Sequence, residues 1–226
     1  MSTFKNIFKN TATVFAGLTL ASAASAATFN FDLQAPTSAA NQSGSYADQY
    51  NYSVGGVDMS VEGFTNYGSG FSQQKVGIFS GFGMGVEQAS GSQHALDNNN
   101  GLDALVFTFQ QDMILDSVTS GWHNTDSDIS IYYLNGSNQA TKLGDETNLA
   151  DNLARNVNSG EIASKQWIVT AFDGIDESIT FGNDYVKLSF LSFSDVEVAA
   201  PAPATLGLMG ALLAGFGLRK RARKTV

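Results

Sequence analysis

The sequence predicts an all-β protein: an antiparallel, jelly-roll-like β-sandwich flanked by an N-terminal signal peptide and a C-terminal transmembrane helix. Three observations predict it. Between residues 27 and 193, apolar residues alternate with polar ones in many short runs, the period of half-buried strands. Gly, Asn and Asp separate the runs, as turns require. Two apolar segments, each beside basic residues, stand outside this pattern at the ends of the chain.

In chain order, residues 1–26 read as a signal peptide. Lys5 and Lys9 make its positive head, Thr11 to Ala21 its apolar middle, and Ala24-Ser25-Ala26 a small-x-small cleavage site. Cleavage is expected between Ala26 and Ala27, with Ala24 as the alternative exit. Residues 27–193 form the sandwich and 194–200 a linker.

Within the body, residues 34–45 are polar and read as a long loop. A strand from Tyr46 to Val54 then turns at Gly55-Gly56 into Val57–Gly63, where Val57, Met59 and Val61 alternate with Asp58, Ser60 and Glu62. Val76–Phe79 is short. Gly81-x-Gly83-x-Gly85 reads as a glycine-rich loop or bulged strand. Ala104–Phe109 places Leu105, Phe107 and Phe109 on one face, and Met113–Trp122 follows as a separate strand. Ile129–Tyr133 ends before the turn dipeptide Asn135-Gly136. Asn148–Asn156 is the one predicted helix, with Leu149, Leu153 and Val157 on one side. Trp167–Phe172, Ser178–Phe181 and Tyr185–Phe193 complete the strands. Many short strands with almost no helix favour a sandwich.

Charge is segregated. All 21 acidic residues lie between 27 and 200, against five basic ones, Lys75, Lys142, Arg155, Lys165 and Lys187, so the body carries −16. Such a surface repels nucleic acid and anionic lipid and attracts cations. There is no cysteine, which excludes thiol catalysis, Cys-zinc sites and disulfides.

The C-terminal segment begins Pro201-Ala202-Pro203, runs apolar from Ala204 to Leu218, and closes with Arg219, Lys220, Arg221, Arg223 and Lys224. At ~1.5 Å per residue the 17 residues from Ala202 to Leu218 reach about 25 Å, short of ~30 Å of hydrocarbon, and snorkelling of the flanking cations closes the gap. The basic cluster favours the cytoplasmic side and acts as a stop. This layout resembles the PEP-CTERM sorting domain, the substrate tail of exosortase systems in Gram-negative bacteria. Ala202 stands where that family usually has Glu. The resemblance implies signal peptidase and an exosortase-type enzyme as partners, transient anchoring in the inner membrane, and then the cell surface or exopolysaccharide matrix. The body block, from Asp97-Asn98 through Leu105-x-Phe107-x-Phe109 and Gly121-Trp122 to Asp126-x-Asp128, also resembles bodies of exosortase-dependent surface proteins, which bring no activity with them.

Candidate chemistry is sparse. Asp126 and Asp128 share a side just before a strand and, with Asp97 and Asp103, offer an oxygen set for calcium; otherwise these Asp residues make turns. No cofactor is otherwise required. Tyr46, Tyr50 and Tyr52 share a strand face by parity. They stack on glycans if that face is exposed and form core if it is not. His94 and His123 are the only histidines, and no Gly-x-Ser-x-Gly elbow is present. The expected function is a non-enzymatic, exosortase-sorted surface or matrix protein with a structural or adhesive role. The alternatives are a carbohydrate-binding module, calcium-stabilised or not, and then a secreted hydrolase.

Overall fold

A computed structural model describes residues 25–87, 94–99, 101–124, 126–157, 159–173 and 184–196. The described strands belong to one unit, Ala26–Glu197. The signal peptide before Ser25, the sorting motif Pro201-Ala202-Pro203, the apolar run, the basic cluster Arg219 to Lys224 and the strand Ser178–Phe181 lie outside the described residues.

The described residues are all-β. In order the strands are β1 (Thr28–Asp32), β2 (Ser38–Ala40), β3 (Tyr46–Ala47), β4 (Gln49–Val54), β5 (Val57–Asn66), β6 (Phe71–Gln74), β7 (Val76–Phe79) and β8 (Gly83–Val86). They continue as β9 (Leu96–Asp97), β10 (Leu102–His123), β11 (Ile129–Leu134), β12 (Ala140–Glu146), β13 (Ala154–Asn156), β14 (Ala163–Ala171) and β15 (Tyr185–Asp195). All the ladders between them are antiparallel. The main path runs β12-β11-β14-β10-β15-β8-β7-β3, and β5 joins β10 to β4 and β6.

β10 organises the unit. Its first half, Ala104–Thr108, is flanked by β5 and β14. From Met113 onward β15 takes over one side. The two strands expected here are one. Gln110, Gln111 and Asp112 are exposed, and the register with β14 shifts between Thr108 and Met113. The polar triplet therefore marks an irregularity that bends a continuous strand, as bulges do. Alternation was a sound guide within it: Leu105, Phe107 and Phe109 are buried while Val106 and Thr108 are only half-buried.

Three further expectations need correction. Residues 148–156 are not helical. Leu149 and Val157 are buried, but Leu153 is 64% exposed, and Ala154–Asn156 pair with Ser117–Thr119 of β10. A sheet edge supplied backbone partners that outweighed a three-residue helical stripe. The polar loop at 34–45 contains β2, which pairs with β4. The strand expected from Tyr46 to Val54 is two: β3 pairs with β7, and β4 pairs with β5. The Gly55-Gly56 turn is present with φ of 59° and 85°, the left-handed geometry of a two-residue hairpin.

The core is aromatic. Phe31, Phe109 and Phe193 meet edge to face at 4.6 to 6.0 Å between centroids. Trp167 is fully buried and donates its indole N–H to the Met113 carbonyl at 2.8 Å. Tyr52, also buried, donates its hydroxyl to the Leu33 carbonyl at 2.7 Å, and burial pushes that hydroxyl's pKa up. Tyr52→Phe leaves the Leu33 carbonyl without this donor and is expected to cost about 1–3 kcal/mol. The check is a lower urea midpoint with an unchanged denaturant slope.

Candidate functional site

The segment after β10 carries the site. β10 ends at His123, and the chain crosses to β11 through Asn124, Asp126, Ser127 and Asp128. Backbone bonds fix this crossing against the start of β15: the Asn124 N–H donates to the Tyr185 carbonyl (3.0 Å), and the Tyr185 N–H to the Asp126 carbonyl (3.2 Å). Asp126 and Asp184 form a parallel bridge. One carboxylate oxygen from each of Asp126, Asp128 and Asp184 lies within 4.8 Å of the other two. Of the four sequence candidates, the structure thus gathers Asp126 and Asp128 and adds Asp184, which composition and local pattern did not single out.

Asp184 is the buried member, 2% exposed. Asn98 donates its side-chain amide to Asp184 Oδ2 at 2.5 Å and to the Phe172 carbonyl at 3.1 Å, and the Asp128 N–H donates to Asp184 Oδ1 at 3.2 Å. Burial pushes the Asp184 pKa up to about 6; those two hydrogen bonds pull it back, and the charges of Asp126 and Asp128 push it further up. The Asp128 pKa is raised as well, by burial first, against a bond from the Asn148 N–H to Oδ1 at 2.6 Å. Three carboxylates that converge in this way, Asp128 and Asp184 with raised pKa, are a donor set for a hard cation.

Asp97 and Asp103 stand outside this set. Asp103 accepts the Thr65 hydroxyl at 2.5 Å and the Asp97 N–H at 3.3 Å, and Asp97 accepts the Asn99 N–H at 3.0 Å. Both are buried within the fold, where they perform turn and network chemistry. They are not among the carboxylates that converge with Asp126, Asp128 and Asp184.

The tyrosines also resolve. Tyr50 is 1% and Tyr52 3% exposed, with their hydroxyls on the Ser45 and Leu33 carbonyls. Neither offers a ring face to a sugar. Tyr46 sits on a different strand, edge-on to Phe79 and His94. Tyr50 and Tyr52 are core, the second of the two readings their parity left open, and Tyr46 is half-buried.

His123 Nδ1 lies 2.8 Å from Asp151 Oδ1, and Ser120 donates its hydroxyl to the same carboxylate oxygen at 3.1 Å. Ser, His and Asp meet, but the serine bonds to the aspartate and the Trp122 carbonyl rather than to the imidazole. Nucleophilic activation needs the serine on the histidine. His94 stacks near Phe79, apart from any carboxylate group of metal-binding geometry among the described residues. Lys187 is held over Trp122 and Phe79, 4.1 and 4.7 Å from the ring centroids, and burial lowers its pKa.

Open concavities lie elsewhere. One of about 830 Å³ is bordered by Ala26, Asp116, Glu161, Ser194 and Asp195. There the Ser194 hydroxyl donates to Asp116 (2.9 Å) and the Ala27 N–H to Asp195 (2.6 Å). Another of about 620 Å³ is lined by Asp112, Asn135, Lys165 and Gln166. No helix of the described residues is long and apolar enough to cross a membrane. Comparison with protein families, curated proteins and solved structures finds no match to this chain.

Proposed function

We propose that the chain is an exported, non-enzymatic surface or matrix protein: a jelly-roll-like β body, cut from its signal peptide, tethered through a PEP-CTERM-like tail, and serving a structural or adhesive role. The observation that carries this reading is the pairing that joins the first described strand to the last. Ala27 exchanges hydrogen bonds with Asp195 (Ala27 N–H to the side chain at 2.6 Å, Asp195 N–H to the Ala27 carbonyl at 3.1 Å), and the β1–β15 ladder begins at Thr28↔Ser194. Ser25 and Ala26 precede the ladder and are exposed. Among the described residues, a cut after Ala26 removes no strand. Pairing at Thr28↔Ser194 is compatible with a mature chain that begins at Ala27, and the body runs two residues past the expected limit at 193, through Asp195.

The acidic surface supports the same reading, since it keeps an exported protein apart from nucleic acid and anionic membrane. The Asp126, Asp128 and Asp184 cluster supports calcium as a structural ion. Carboxylates from the β10–β11 crossing and the start of β15 would supply oxygens, with backbone carbonyls and water completing the six to eight that calcium takes. The ion would tie two distant segments together and neutralise their repulsion.

The test compares the full chain with one truncated after Ala200, each produced in a Gram-negative host with an exosortase system. Cell fractions are probed for the body. The full chain is expected in the membrane and then the surface fraction, and the truncated chain in the medium. Equal distribution of the two overturns the tail's role.

A further inference from the structure

The edge of the sheet at β11 and β12 carries chemistry that the reading above does not use. β12 is the last strand on the main path. Its pairing with β11 is regular from Ile129↔Glu146 to Ile131↔Gly144 and then shifts, so that Tyr132 faces Lys142 and Leu143 is passed over. A bulge of this kind re-aims side chains. Here it puts Lys142 and Asp145, three residues apart, on one side of the strand, where alternation alone would separate them. Lys142 Nζ then lies 2.9 Å from Asp145 Oδ1 and 3.0 Å from Asp173 Oδ1. The Tyr132 hydroxyl donates to the other oxygen of Asp173, Oδ2. Ser130 fixes both acids: its hydroxyl donates to Asp145 Oδ1 at 2.6 Å and accepts the Asp173 N–H at 3.3 Å. The Asp173 side chain is 3% exposed, and the Lys142 ammonium also sits 5.7 Å from the Phe172 ring centroid.

An amine, a buried carboxyl, a second acid on the amine and a hydroxyl on the far carboxyl oxygen are the components of an amide condensation. We propose that Lys142 and Asp173 join through an isopeptide bond, with Asp145 carrying the proton and Tyr132 holding the carboxyl oxygen. Asp145 takes a proton from the Lys142 ammonium. The freed nitrogen pair attacks Asp173 Cγ, and negative charge collects on Oδ2, where the Tyr132 O–H stabilises it. Asp145 delivers the proton to Oδ1, the C–Oδ1 bond breaks, and Oδ1 leaves as water after receiving the second amine proton. Ammonium plus carboxylate becomes amide plus water, with no oxidant or other reactant.

Two physical terms drive this step. Groups held at 3.0 Å on a folded sheet react with effective concentrations of about 10⁵ M or more, which offsets the preference of water for hydrolysis. The buried Asp173 carboxylate is also costly to keep desolvated, and a neutral amide removes both charges. The bond would pin the last strand of the main path to the segment after β14, across 31 residues, in a chain that has no cysteine.

The test is mass spectrometry of the folded full chain. The expected result is a mass lower by one water, a branched peptide joining Lys142 to Asp173, and no tryptic cleavage at Lys142. Asp145→Asn keeps the volume but removes the proton carrier. It is expected to fold, by circular dichroism, and to form the bond about 100-fold more slowly. Tyr132→Phe is expected to slow it similarly. Folded wild-type protein at the full sequence mass, with Lys142 open to amine reagents after unfolding, overturns the proposal. Undiminished bond formation in Asp145→Asn overturns the assigned proton path.

Discussion

Gly121→Ala is expected to unfold the body. Gly121 lies in β10 with the turn between β7 and β8 directly against it. A Cβ there would fall 2.4 Å from the Phe82 carbonyl oxygen, 2.9 Å from the Phe82 carbonyl carbon and 2.8 Å from Ser189 Cβ. Two of those three atoms are backbone and cannot rotate away. The turn is itself pinned, because Gly83 at φ 110° sits so close to β15 that its own Cβ would meet the Leu188 carbonyl oxygen at 2.5 Å. Relief requires moving β8 off β10 and β15 together. A cost above about 4 kcal/mol follows, a large part of the ~5–15 kcal/mol that holds a domain folded. Gly136→Ala is the control: nothing lies within 4 Å of its added Cβ, and a change within about 0.5 kcal/mol is expected. Thermal melts of the two variants give the comparison.

Calcium is expected to produce the second large effect, and pH reports it with a sign. Without the ion, the folded Asp184 holds its proton up to about pH 6, against 3.8 for an ordinary aspartate. The folded state therefore binds more protons than the unfolded chain across that window. Stability falls as pH rises from about 4 to 6, by at most about 3 kcal/mol from this group. With calcium bound, the three carboxylates are charged ligands and acid releases the ion, so the slope reverses and stability rises with pH. At neutral pH, calcium at about 100 times its dissociation constant adds about 2.7 kcal/mol, roughly 5–10 °C in melting temperature for a unit of this size. Asp184→Asn keeps the shape and removes both effects. Melting curves between pH 4 and 7.5, with calcium and with EDTA, decide it. Identical slopes in the two series contradict a calcium centre.

The sheet was legible where burial on one face imposes a period of two. Val57, Met59 and Val61, and again Leu105, Phe107 and Phe109, are buried as their alternation requires. The pattern failed where edges decide. The segment around Leu149 and Val157 has helical spacing, yet its backbone is satisfied by β10, a partner 30 and more residues upstream. Tyr46 was grouped with Tyr50 and Tyr52 by parity, but β3 and β4 pair with different strands, and parity does not carry across that change.

The site was half legible for the same kind of reason. Asp126-x-Asp128 is a local pattern, and the two do converge. Asp184 joins them from 56 residues beyond Asp128, a distance that only the β15 pairing spans. Asp97 and Asp103 bond to each other, and Asp103 to Thr65, away from the three converging carboxylates. Lys142 and Asp145 escaped notice because three residues apart on a strand means opposite faces, and the bulge at Leu143 was invisible without the register.

The most direct test of an exported β body is the mature N-terminus. Protein recovered from outside the cytoplasm of a host that processes such tails is sequenced from its first residue. The predicted start is Ala27, with its ammonium placed beside Asp195. A chain that still begins at Met1, or one that is found only in the cytosol, contradicts export and everything built on it.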